Sequence, residues 1–113
     1  MKAPTGVMAA YGDSDPVAPG VARGARLCDR LAPGWAERVE RPIDMESAAD
    51  SVPGQLAPAG TDPDEAFDVA LGLLGIRVED AADYGFDPSG WAGFDDLDAM
   101  WTAERAARIG SAA

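Results

Sequence analysis

Thr61 to Ile76 reads TDPDEAFDVALGLLGI, the clearest helix start in the chain followed by its densest apolar run. Asp62 suits the N-cap, because its carboxylate can accept from the free N–H groups of a first turn. Pro63 fits the first helical position, where a missing N–H costs nothing, and Glu65 stands where a capping box places its acid. Asp64 and Glu65 also face the positive end of the helix dipole. From Ala66 to Ile76 the only charge is Asp68. Phe67, Ala70, Leu71 and Leu74 fall on one helical face, and Val69 and Leu73 widen it, a breadth that suits contact on more than one side. Gly72 or Gly75 supplies the stop. The pattern predicts an all-α fold: a small compact domain of about four to six short helices around a central, mostly buried helix over 62–75.

Upstream, Val21 to Leu31 places Val21, Leu27, Cys28 and Leu31 on one apolar stripe. Arg23, Arg26 and Arg30 recur on the opposite, exposed face. That arginine stripe is either a docking face for something acidic or a solvated face paired with the chain's own carboxylates. Gly24 weakens the helix by ~1 kcal/mol relative to Ala, and Pro33-Gly34 ends it. Trp35 to Val39 reads as one short turn, closed by Arg41-Pro42, since a residue before Pro avoids the helical region. Ser47 is placed to cap a short helix over Ala48–Val52, which Pro53-Gly54 interrupts. Met1 to Gly20, broken by repeated Pro and Gly, reads as an irregular arm with freedom to move.

Downstream, Val78 to Tyr84 reads as a short acidic helix stopped by Gly85. The turn-rich FDPSGWAG (86–93) follows, with Trp91 folding back onto the core. Asp95 to Ile109 is the last and longest helix, with Phe94, Leu97, Trp101 and Arg105 at helical spacing. Its early Asp residues and its late Arg105 and Arg108 match the macrodipole. The expected organisation is an arm at 1–20, one helical domain at 21–110 and a frayed tail at 111–113. The expected core is Leu27, Leu31, Trp35, Phe67, Ala70, Leu71, Leu74, Leu97 and Trp101, with Trp91 as a further aromatic anchor.

The chain has 113 residues and a formal net charge of −11. Up to Gly60 it carries eight acids and six bases; from Thr61 onward it carries twelve acids and three bases. Such a balance disfavours binding nucleic acid through its phosphates and disfavours anionic membranes. There is no histidine, which removes His-based triads and His metal sites. Cys28 is the single cysteine, so no intramolecular disulfide forms, and a free cysteine is often a small buried hydrophobe. No basic stretch followed by an apolar run opens the chain, so a cytoplasmic location is expected. The acids match no calcium-loop spacing, and the glycines match neither the dinucleotide nor the phosphate-loop pattern.

No catalytic residue, metal ligand or cofactor is therefore assigned. The expected role is non-enzymatic protein–protein binding to a partner with a basic surface. The candidate surface is Asp62, Asp64, Glu65, Asp68, Glu79, Asp80, Asp83, Asp95, Asp96 and Asp98. The alternative is a nucleic-acid mimic that blocks a DNA-binding or defence enzyme, its acids standing in for phosphates. A metal-dependent enzyme is the least favoured class, because nothing in the sequence marks a pocket.

Two segments, LCDRLAPGWAERVERPIDMESAADSVPGQL (27–56) and YGFDPSGWAGFDDLDAMWTAERAARI (84–109), resemble short uncharacterised proteins of high-GC actinobacteria and their phages. The resemblance rests on Pro33-Gly34-Trp35, Ile43-Asp44-Met45, Gly54-Gln55-Leu56, Gly85-Phe86 and a closing helix with Leu97 and Trp101. Many members carry cysteines just before Gly-Gln; here Ala49, Ser51 and Val52 stand there. The resemblance implies a small cytoplasmic protein, in a host cytoplasm where it is phage-borne. It brings no activity, cofactor or site residue.

Overall fold

The computed structural model describes residues 17–88 and 93–112; most of the arm and Trp91 lie outside this set. Among the described residues all regular structure is helical. The order is α1 (Val17–Leu31), α2 (Trp35–Arg38), α3 (Val52–Leu56), a 3-10 turn (Pro63–Glu65), α4 (Ala66–Leu73), a second 3-10 helix (Val78–Tyr84) and α5 (Phe94–Ala112). Among these, no helix is long and apolar enough to cross a membrane.

The hub is aromatic, and it is not the 62–75 helix. Trp35, Phe86 and Trp101 are fully buried together. Phe86 stacks on Trp101 with ring centroids 5.3 Å apart, and Trp35 meets Trp101 edge-on at 5.6 Å. Both indole N–H groups are satisfied, as buried Trp requires. Trp101 Nε1 donates to the Gly85 carbonyl at 2.6 Å, and Trp35 Nε1 donates to Asp29 Oδ1 at 2.9 Å. Phe86 reaches the centre because Gly85 takes the left-handed conformation (φ 73°) and turns the chain inward. The Phe86 N–H then donates back to the Ala81 carbonyl at 3.0 Å, a Schellman closure of the second 3-10 helix with an apolar residue just beyond the glycine.

α1 begins at Val17, four residues ahead of the expected start. Its buried line is Val21, Gly24, Ala25 and Cys28, continued by Ala32. Leu27 is only half-buried, and Leu31, expected in the core, is 53% exposed. The line favours small residues because α1 presses directly against the second 3-10 helix and the hub. A Cβ on Gly24 would collide with the Tyr84 carbonyl oxygen and stand 3.0 Å from the Trp101 ring. The glycine that weakens the helix as a helix is the one that lets it dock.

The 62–75 segment splits into the 3-10 turn and α4. Asp62 caps it as expected, its Oδ1 accepting from the Asp64 N–H at 2.9 Å. Gly75 (φ 75°) stops it, and the Ile76 N–H donates to the Leu71 carbonyl at 2.9 Å. Ala66, Ala70, Leu71 and Leu74 are buried, and Phe67 is half-buried; Leu73 is 65% exposed and Val69 also faces outward. α4 packs chiefly on α3 and forms a flank, because its apolar run lacks the bulk that draws a core around itself. Buried area scales with side-chain size, and the three aromatics elsewhere carry more of it.

α3 is displaced from the expected helix at 48–52. Ser51 caps it, its Oγ accepting from the Gly54 N–H at 3.0 Å, while Ser47 Oγ closes the preceding turn by accepting from the Asp50 N–H at 3.2 Å. Pro53 sits in the first turn, and Gly54 lies hard against the Ala48 backbone, so the pair begins a helix where a break was expected. Gln55 then laces the link: its side chain accepts from the Arg41 N–H at 2.9 Å and donates to the Arg41 and Asp50 carbonyls. α5 continues to Ala112, through most of the stretch expected to fray.

Candidate functional site

The acids expected to form one surface are divided among different tasks. Asp62 is a cap, and Asp96 Oδ2 accepts from the Gly93 N–H at 3.0 Å at the start of α5. Asp80 pairs with Arg77 at 3.0 Å, and Glu79 lies 3.8 Å from the same guanidinium. Asp83 is exposed, and its backbone carbonyl accepts from Arg23 Nε at 3.0 Å. Asp98 is half-buried and accepts from the Met45 N–H at 2.6 Å, pinning the 44–46 loop to α5. Glu65 and Asp95 remain exposed.

What the fold does bring together is a shallow groove of about 180 Å³. Its carboxylates are Glu46 from the loop, Asp64 and Asp68 from the 62–75 segment, and Asp87 from beyond the second 3-10 helix. Phe67, Phe94 and Met45 supply apolar lining, and no Lys or Arg is among the lining residues. The carboxyl of Asp87 is raised above its ordinary value, first by burial and then by the charge of Asp68. Asp98, just behind, is raised by burial as well; its bond from the Met45 N–H opposes this, and Asp44 and Asp95 add to it. Glu46 and Asp87 are absent from the expected surface because no spacing in the sequence links positions some forty residues apart. The only local hint is Gly85-Phe86, which aims the chain inward just before Asp87.

The arginines expected to complement the α5 dipole act across the fold instead. Arg108 binds both carboxylate oxygens of Asp29 at 2.8 Å, reaches Glu104 Oε1 at 2.8 Å and lies 5.3 Å over the Trp35 ring. Asp29 is held below the usual carboxylate range, chiefly by that Arg108 bond. Arg105 Nε donates to the Val39 carbonyl at 2.7 Å and the Ala36 carbonyl at 3.0 Å, satisfying the end of α2.

The Cys28 thiol is buried and pushed up to about 12, first by burial, then by Asp29, with Arg108 opposing. It is therefore a thiol and not the thiolate that a nucleophile requires. Among the described residues, no three His, Cys, Asp or Glu side chains gather as a metal-ligand set. Comparison of the chain with known family models, with curated proteins and with solved structures finds no match.

Proposed function

We propose that this is a non-enzymatic protein that acts by binding another protein, and that the groove between the 44–46 loop, α4 and α5 receives a basic segment of it. The observation that carries the reading is four carboxylates from three segments around an apolar lining that, among the described residues, contains no cation. An arginine from a partner suits such a groove, because a guanidinium pairs with carboxylates and lies over aromatic faces. The raised carboxyl of Asp87 agrees with it: burial raises it first and the charge of Asp68 second, and a cation beside it would favour the ionised form. Where the chain is phage-borne, as some of the proteins it resembles are, the partner is a host factor.

A nucleic-acid mimic requires the acids of all three acidic helices on one continuous face. Glu79 and Asp80 are engaged with Arg77, and neither they nor Asp83 line the groove, which favours the protein reading. The test is fluorescence anisotropy with a labelled arginine-rich peptide and its neutral citrulline counterpart. The arginine peptide should bind saturably, weaken with salt, and be lost on Asp68→Asn/Asp87→Asn but not on Glu79→Gln/Asp80→Asn. Equal binding of the citrulline peptide, or equal loss in both variants, would overturn the proposal.

A further inference from the structure

The other flank of α4 opens into a second groove of opposite character. It measures about 110 Å³ and is lined by Leu31, Ala32, Arg38, Leu56, Ala70, Leu73 and Leu74. Ala32, Leu56, Ala70 and Leu74 form a buried floor, while Leu31 and Leu73 stand exposed at its edges. Large aliphatic side chains left in water beside a concave apolar floor are the usual mark of an interaction surface. Arg38 is the single charged residue in this lining. Its Nη2 makes a long 3.4 Å bond to the Leu56 carbonyl, and among the described residues no carboxylate pairs with it. Arg26 and Arg30, on the α1 helix that ends in Leu31, are exposed and likewise unpaired with any described carboxylate.

We propose that this groove docks an amphipathic segment of a partner protein whose leucine-sized apolar anchor is flanked by carboxylates. Leu31 and Leu73 grip the anchor over the buried floor, and Arg38 pairs with a flanking acid. The net negative charge of the protein does not forbid this, because screening limits each charge to roughly 8 Å at physiological salt. Within that reach the one charge the lining itself carries is that of Arg38. A second copy of the chain is the poorer occupant: a two-fold pair would set the same arginines against one another. The site is distinct from the acidic groove, and its occupant has the opposite charge.

The test is selection of a random peptide display library on the wild-type protein, with counter-selection on Leu31→Asp/Leu73→Asp. Both leucines are exposed, so the variant should keep the wild-type melting temperature, and that is measured first. Enriched peptides should combine apolar anchors with an acidic balance. An enriched peptide, labelled and measured by anisotropy, should lose about tenfold or more in affinity on Leu73→Asp. It should lose less on Arg38→Gln, and that smaller loss should vanish at high salt. Asp68→Asn/Asp87→Asn should leave it unchanged, which separates this proposal from the acidic-groove reading. Three results would each overturn it: no enrichment over the counter-selected variant, enrichment of basic peptides, or concentration-dependent dimerisation of the wild type that Leu73→Asp abolishes.

Discussion

Around Trp101 the chain closes on itself; around α4 it stays open on two sides. At the closed end, three aromatic rings stack edge and face, each indole N–H has an acceptor, and a glycine lets α1 come within contact of the rings. At the open end, a run richer in leucine buries only part of its surface and leaves Leu73 in water. The difference separates two properties that a sequence presents as one. Apolar density along a helix says that some face will be covered. Side-chain bulk, together with the small residues that permit close approach, decides where the covering converges. The surfaces suited to binding lie at the end where bulk is short.

Deleting one large side chain from each end should separate the two by cost. Trp101→Ala should cost ~3–5 kcal/mol in denaturant unfolding, or prevent folding altogether. Leu71→Ala, at the buried contact of α4, should cost ~2–5 kcal/mol, below the Trp101 value. If the order reverses, α4 is the hub after all. A second contrast lies within α4 itself: Leu73→Ala, two residues on, should stay within about 0.5 kcal/mol of wild type.

Gly24→Ala tests the close approach. On helix propensity alone it should stabilise by ~1 kcal/mol. The collision with the Tyr84 carbonyl should reverse that sign and cost ~1–3 kcal/mol, as overpacking does. A raised melting temperature would mean that α1 has room to withdraw from the hub.

The smallest effects concern charge, and their signs differ between the two ends. The carboxyl of Asp87 is raised in the folded state, so its ionisation opposes folding at neutral pH. That penalty should fade as pH falls through its folded value towards the ordinary carboxylate value of about 4. Asp87→Asn should therefore slightly raise the melting temperature at pH 7, and the gain should disappear in acid. Asp29 is depressed by Arg108, so its contribution is present above the ordinary carboxylate range and is lost as pH falls through the folded value. Asp29→Asn should lower stability at pH 7, with a difference that closes at low pH. Asp64→Asn should barely alter folding, since the cap is carried by Asp62. Thermal melts across pH would expose a wrong sign in any of these.

The helical class was legible because it is written in local chemistry. Asp62, Gly75 and Gly85 mark ends that the backbone obeys, and Leu97 and Trp101 mark the inner face of α5. The position of the hub was not legible, since Phe86 enters it only through the turn at Gly85. Nor was the start of α3, where Ser51 caps the helix, Ser47 closes the turn before it, and Pro53-Gly54 begins a helix instead of breaking one. Of the candidate site, Asp64 and Asp68 were in view. Glu46 and Asp87 were not, because they become neighbours only after the loop is tied to Asp98 and the chain has turned at Gly85. Leu31 and Leu73 were assigned to an apolar stripe and a broad apolar face, because periodicity cannot tell a covered leucine from one left at a rim.

The clasp between α5 and the early helices also has a consequence in time. Arg108 reaches back 79 residues to Asp29, and Arg105 reaches back 69 residues to Ala36. Trp101, the ring on which Trp35 and Phe86 both rest, comes from the last described helix. A chain emerging from the ribosome can pair α4 with α3, and α1 with the second 3-10 helix, before α5 is made, but Trp35 and Phe86 lack the ring they rest on until α5 follows. Helical proteins usually fold quickly because their contacts are local. In this one the aromatic hub is completed by the last described helix, so its closure waits for the most distant contacts.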